Sequence, residues 1–112
     1  MSITTHVLDT SLGRPASGVA VVLERSGGAG GWAIVGSGET DADGRLRTLL
    51  DADAHLTPGT YRLVFDTRRY FERRHVQAFY PSVVVIFEAG TDPHYHVPLL
   101  LSPFGYSTYR GT

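Results

Sequence analysis

Gly, Pro and Asp interrupt this chain so regularly that no long element can run through it. The interruptions are Gly13-Arg14-Pro15, Gly27-Gly28-Ala29-Gly30-Gly31, Asp41-Ala42-Asp43-Gly44, Pro58-Gly59 and Thr91-Asp92-Pro93. Glycine supplies positive φ, proline fixes φ and removes a donor, and Asp bonds its own backbone, so each cluster reads as a turn. Between them lie short β-favouring segments: Ile3–Leu8, Gly18–Glu24, Trp32–Glu39, Arg45–Leu49, Gly59–Phe65, Val83–Glu88, His94–Leu101 and Tyr106–Arg110. That spacing predicts an all-β sandwich or barrel. One segment departs from it. Asp66–His75 predicts a short helix capped by Asp66 or Thr67, with Tyr70, Phe71 and Arg74 facing inward and its other arginines in water. No internal repeat is visible, and 112 residues suffice for one core, so a single domain is expected over residues 1–112.

Composition excludes several classes of function. A net charge of −1 gives no electrostatic basis for binding nucleic acid or an anionic membrane, although all ten basic residues are arginines. Cysteine is absent, which removes disulfides, thiolate catalysis and cysteine zinc sites, and a reducing cytoplasm fits best. The opening Met-Ser-Ile-Thr-Thr-His has neither the charged nor the apolar region of a signal peptide, and no apolar run reaches membrane-spanning length.

The candidate chemistry gathers near the C-terminus. Residues two apart on a strand share a face, about 7 Å from one another. Tyr95, Val97, Leu99 and Leu101 therefore form a core face, and His94, His96, Pro98 and Leu100 the opposite one, which must meet solvent, a ligand or another subunit. Pro98 cannot donate to a ladder, so a bulge or a locally open edge is expected there. A turn at Pro103-Phe104-Gly105, centred on Phe104, folds the final segment back and sets His96 opposite Thr112, within a slip of one or two residues. Tyr109, Arg110 and the terminal carboxylate then come near His96. His6 shares a face with Thr4 and Leu8, while Ile3, Thr5 and Val7 take the other. Arg45 follows the Asp43-Gly44 turn, where a hairpin between the third and fourth strands is expected. It reads as a turn-flanking surface arginine, and Arg47 shares its face. His6, His94 and His96 are a possible zinc set, but no carboxylate or cysteine joins them at convincing spacing. No Gly-x-Ser-x-Gly elbow is present, and Gly27–Gly31 lacks the Lys-Ser/Thr of a phosphate loop.

These residues together resemble the 5-hydroxyisourate hydrolases, the enzymes related to transthyretin. The resemblance rests on Thr5-His6-Val7-Leu8-Asp9 with Gly13-Arg14-Pro15-Ala16, on Thr40-Asp41-Ala42-Asp43-Gly44-Arg45, on Gly59-Thr60-Tyr61 through Phe65-Asp66-Thr67, and on Phe79-Tyr80-Pro81. Most specific are His94-Tyr95-His96-Val97-Pro98-Leu99-Leu100-Leu101-Ser102-Pro103 and Tyr106-Ser107-Thr108-Tyr109-Arg110-Gly111-Thr112. The family pattern ends Tyr-Arg-Gly-Ser; Thr112 keeps the hydroxyl and adds a methyl group. In transthyretin proper the first-motif histidine and the terminal tetrapeptide are replaced, so this chain falls on the enzyme side.

The resemblance implies a transthyretin-like β-sandwich of two four-stranded sheets with one short helix. It implies a homotetramer whose active sites lie in a channel between facing dimers, and no metal or organic cofactor. The implied reaction is hydrolysis of 5-hydroxyisourate, a small-molecule substrate of urate catabolism, at a cyclic amide carbonyl. His6 and His96 would share the acid and base roles, Arg45 would pair with substrate oxygens, and Thr112 would orient the water or a histidine. Tyr109, Arg110 and Gly111 would line the substrate site, with Arg110 equally suited to holding the terminus. Two alternatives stand beside this reading: a transthyretin-like protein that binds a small ligand without turnover, and a zinc-dependent hydrolase.

Overall fold

The first segment shows how the chain divides its inner and outer surfaces. A computed structural model describes residues 1–50 and 55–112. In β1 (Ser2–Asp9), Ile3, Thr5, Val7 and Asp9 are buried in alternation, leaving Ser2, Thr4, His6 and Leu8 on the other face. The strands that follow are β2 (Arg14–Pro15), β3 (Ala20–Ser26), β4 (Trp32–Glu39), β5 (Arg45–Leu46) and β6 (Gly59–Asp66). After α1 (Thr67–Arg73) come β7 (Val83–Ala89), β8 (His94–Ser102) and β9 (Gly105–Thr108).

Two sheets result. One runs β2-β1-β8-β9 with β5 also on β1; the other runs β4-β3-β6-β7. Val7, Leu99 and Leu101 from the first sheet meet Val21, Leu23, Leu63 and Phe65 from the second in a dry core. Tyr70 and Phe71 of α1 join that core. Asp66 caps the helix by accepting from the Arg69 N–H at 3.2 Å. The expected sandwich with one helix is therefore observed, with β2 as an additional two-residue edge strand that tolerates Pro15.

Three local expectations change. The segment Arg45–Leu49 is a strand only at Arg45–Leu46, and it pairs with β1 instead of forming a hairpin with β4. The chain leaves the second sheet at Thr40, whose buried hydroxyl accepts from the Val19 N–H and donates to the Ala16 carbonyl. The Asp41–Gly44 turn then lands on β1, where the Val7 N–H donates to the Gly44 carbonyl at 2.7 Å. Gly44 has φ +75°, and a Cβ there would lie 2.4 Å from the Val7 carbonyl oxygen, so only glycine permits this docking.

The β8–β9 turn holds two residues, Pro103 and Phe104, between the paired Ser102 and Gly105. Register therefore shifts by one, and Gly111 stands opposite His96 in place of Thr112. At Pro98 the ladder opens as expected: pairing stops at Leu99↔Thr108 and resumes only as the single His96↔Gly111 bridge. The Thr108 hydroxyl donates to the Pro98 carbonyl at 2.6 Å across that gap.

Candidate active site

Two register relations assemble the site on the outer face of the first sheet. β1 and β8 run parallel with Thr4 opposite His96, and β1 and β5 run antiparallel with His6 opposite Arg45. Directly opposed residues share a face, so a histidine from each of two strands and an arginine from a third converge. They line a polar cleft of about 610 Å³, together with Arg47, Tyr109, Gly111 and Thr112. A smaller cleft of about 230 Å³ between β7, β8 and the C-terminal segment is lined largely by apolar atoms of residues such as Val85, Phe87 and Val97.

Hydrogen bonds fix the two imidazoles differently. His6 Nε2 lies 2.8 Å from the Asp43 carbonyl oxygen. A carbonyl only accepts, so His6 carries its proton on Nε2 and, when neutral, has an unprotonated Nδ1. The Asp43 carbonyl is held by an Asx turn in which the Asp41 carboxylate accepts from the N–H groups of Asp43 (2.8 Å) and Arg45 (3.0 Å). His96 is fixed through Nδ1, which lies 2.7 Å from the Thr4 hydroxyl. Its carbonyl accepts from the Gly111 N–H at 2.9 Å, tying the C-terminal segment to the ring's own residue.

Burial holds the His96 imidazole below its ordinary pKa, with further lowering from the charges of Arg45, His94, His6 and Arg47. His96 is thus neutral near pH 7. The ion pairs among the described residues engage neither Arg45 nor Arg47. The cleft therefore offers a neutral imidazole and guanidinium groups free of direct ion pairs, suited to a small planar molecule rich in oxygen.

Every candidate residue except Arg110 lines this cleft. Arg110 turns away, donating to Asp92 at 2.8 Å with its guanidinium 4.9 Å from the centre of the Tyr95 ring. It anchors the segment that carries Gly111 and Thr112. Gly111 packs on His96: a Cβ there would lie 2.6 Å from Cδ2 of the ring. Sequence reasoning missed Thr4, although alternation had put it on the face of His6. The parallel β1–β8 pairing that brings it to His96 joins residues 92 apart and leaves no local signal. Among the described residues no group of three or more His, Cys, Asp or Glu side chains is arranged to hold a metal ion.

A two-sheet β-sandwich with a His/Arg cleft on one outer face defines a recognisable class, that of transthyretin-like proteins. Residues 3–111 match the model of the HIUase/Transthyretin family, and the chain belongs to it. It is 47% identical over 111 residues to the 5-hydroxyisourate hydrolase of Salmonella dublin, covering 98% of this chain and 80% of that one. The structure of Klebsiella pneumoniae 5-hydroxyisourate hydrolase superposes with a TM-score of 0.86 at 36% identity, covering all of both chains. Sea bream transthyretin in complex with thyroxine superposes with a TM-score of 0.91 at 32% identity, covering 100% of this chain and 96% of that one.

Proposed function

We propose that this protein is a 5-hydroxyisourate hydrolase of urate catabolism, opening its substrate to 2-oxo-4-hydroxy-4-carboxy-5-ureidoimidazoline by water attack on a cyclic amide carbonyl. The observation that carries the reading is the convergence of His6, Arg45 and His96 on one cleft, in a chain 47% identical to a relative that bears this activity as its name. Amide hydrolysis near neutral pH needs a base for water, donors for the developing oxyanion and a proton for the leaving nitrogen. His6 and His96 divide the proton transfers. Arg45 faces the substrate's oxygens, Thr112 orients the water or a histidine, and Tyr109 and Gly111 wall the pocket. Arg110 serves by holding that wall in place.

The functional unit is residues 1–112 as one domain, acting without a cofactor as a homotetramer whose facing dimers cover the cleft. The His94–Leu100 face supports this assembly, because it presents histidines beside an open cleft instead of a charged solvated surface. A cytoplasmic location fits the absence of cysteine from the sequence. No helix among the described residues is long and apolar enough to cross a membrane.

The test is the ultraviolet decay of freshly generated 5-hydroxyisourate, with and without EDTA-treated protein. Acceleration above the spontaneous rate, unaffected by chelation, is expected. Binding without acceleration would replace the hydrolase with a ligand carrier, and turnover abolished by EDTA would require a metal.

A further inference from the structure

The proton inventory around Thr4 separates the two histidines. Thr4 is only 9% exposed, and its hydroxyl holds one proton for two imidazole neighbours. His96 Nδ1 lies at 2.7 Å and His94 Nε2 at 3.4 Å, with the two rings stacked 6.3 Å apart. Beyond them, the Ser2 hydroxyl bonds His94 Nδ1. Two proton orders satisfy this row. If His96 donated from Nδ1, the Thr4 proton would have only the 3.4 Å contact to His94. If Thr4 donates to His96, its one proton sits in the short contact, whose length suits a hydroxyl donor better than a ring N–H. His94 then gives its Nε2–H to Thr4 across the longer contact and accepts from Ser2.

We infer that Thr4 is a positioning residue that holds His96 as the neutral Nε2–H tautomer, so that His96 is a hydrogen-bond donor to the reacting carbonyl and His6 is the base. The inference rests on the hydrolase reading and narrows it: both proton transfers fall to His6, and His96 donates a hydrogen bond without transferring its proton. His6, its Nε2–H committed to the Asp43 carbonyl, takes a proton from water on Nδ1 while the water oxygen bonds the amide carbon. The carbonyl oxygen gains charge and accepts from the Nε2–H of His96, which keeps its proton. The C–N bond then breaks as His6 returns its proton to the leaving nitrogen. A neutral imidazole does not readily surrender its last proton, and it can polarise a carbonyl without doing so. The buried, cation-flanked setting of His96 matches that duty. Ser2 and His94 stand behind Thr4 and fix the direction in which its proton points.

Histidine ¹⁵N NMR of the whole protein near pH 7, with kinetics of Thr4→Val and Thr4→Ser, tests this. In the wild type, His96 should show a protonated Nε2 and a bare, hydrogen-bonded Nδ1; a protonated Nδ1 would overturn the inference whatever the activity. Thr4→Val keeps the side-chain shape, and should mix the His96 tautomers and lower kcat by at least about tenfold with KM little changed. Thr4→Ser should restore both the tautomer and most of kcat. Unchanged kcat in folded Thr4→Val, or failure of Thr4→Ser to restore it, would reduce Thr4 to a packing residue. If the wild type fails to open 5-hydroxyisourate, the hydrolase reading falls while the tautomer measurement still stands or fails alone.

Discussion

On the inner face of β1 the Asp9 carboxylate accepts from Tyr70 at 2.7 Å, from Arg74 at 2.6 Å and from Ser11, with its side chain wholly buried. On the outer face, three residues earlier in the chain, His6 enters a cleft where two guanidinium groups have no carboxylate partner among the described residues. Burial alone would raise the Asp9 carboxyl, but the bonds from Ser11 and Tyr70 and the charge of Arg74 outweigh it and hold the pKa below its ordinary value. Tyr70 is pushed up to about 12 by burial and by that carboxylate. The inner cluster has thus consumed its own bonding capacity, pinning α1 to the start of the β1–β2 turn. The outer cluster keeps unspent donors facing an opening. One strand supplies both, and the difference between a structural and a reactive group lies in what remains unpaired.

The largest effects should separate the clusters completely. Asp9→Ala leaves a buried hydroxyl and a largely buried guanidinium without their acceptor, and should cost about 3–5 kcal/mol in the urea unfolding free energy. His96→Ala should leave that free energy nearly unchanged and lower turnover by about 10²–10³-fold. If His96→Ala lost stability as Asp9→Ala does, the outer cluster would be structural and the contrast would collapse.

A smaller effect should come from Gly111, where the outer cluster is confined by a close contact instead of a bond. The added methyl of Gly111→Ala meets Cδ2 of His96 at 2.6 Å, so the ring must turn or the segment must lift. Displacements of this size in a reacting group cost up to about 10²-fold in rate. Unfolding should barely change, because Gly111 lies outside the core. A wild-type kcat for this variant would show that the ring tolerates movement and that its placement is not confined by Gly111.

What could be read in the sequence follows the range of each interaction. Alternation placed Ile3, Thr5 and Val7 inward and His6 outward because period two is a local property. The helix placed Tyr70, Phe71 and Arg74 inward for the same reason. The pairing of Arg74 with Asp9 was not anticipated, because the expected strand stopped at Leu8, one residue short of that carboxylate. The β8–β9 register came within one residue, limited by whether the turn held two residues or three. Alternation could not separate Arg45 from Arg47, and in the structure both line the cleft, Arg45 half-buried beside the turn and Arg47 more exposed. β5 is two residues long and finds β1 through Gly44 docking on Val7, a contact across the fold. Thr4 was hidden likewise, since nothing near residue 4 announces residue 96.

The subtlest prediction concerns the pH at which each cluster gives way. The unfolded chain protonates an ordinary imidazole near pH 6.5, whereas folded His96 resists until lower pH. Its contribution to stability is therefore full above about pH 6.5 and falls as the pH drops from there through the lowered pKa. The folded Asp9 carboxyl also lies below its unfolded value, so its contribution is full above about pH 4 and is lost only as the pH falls through the carboxylate range. Arg47→Gln removes one cation near His96 and leaves burial and Arg45 in place, so an NMR titration should find the His96 pKa moved upward. The loss of stability near pH 4 should be unaffected, because Asp9 answers to Ser11, Tyr70 and Arg74 across the sheet. A downward shift of His96, or a change in the acid transition near pH 4, would mean that the two faces of β1 are electrostatically joined and that the strand does not insulate its reactive side from its structural one.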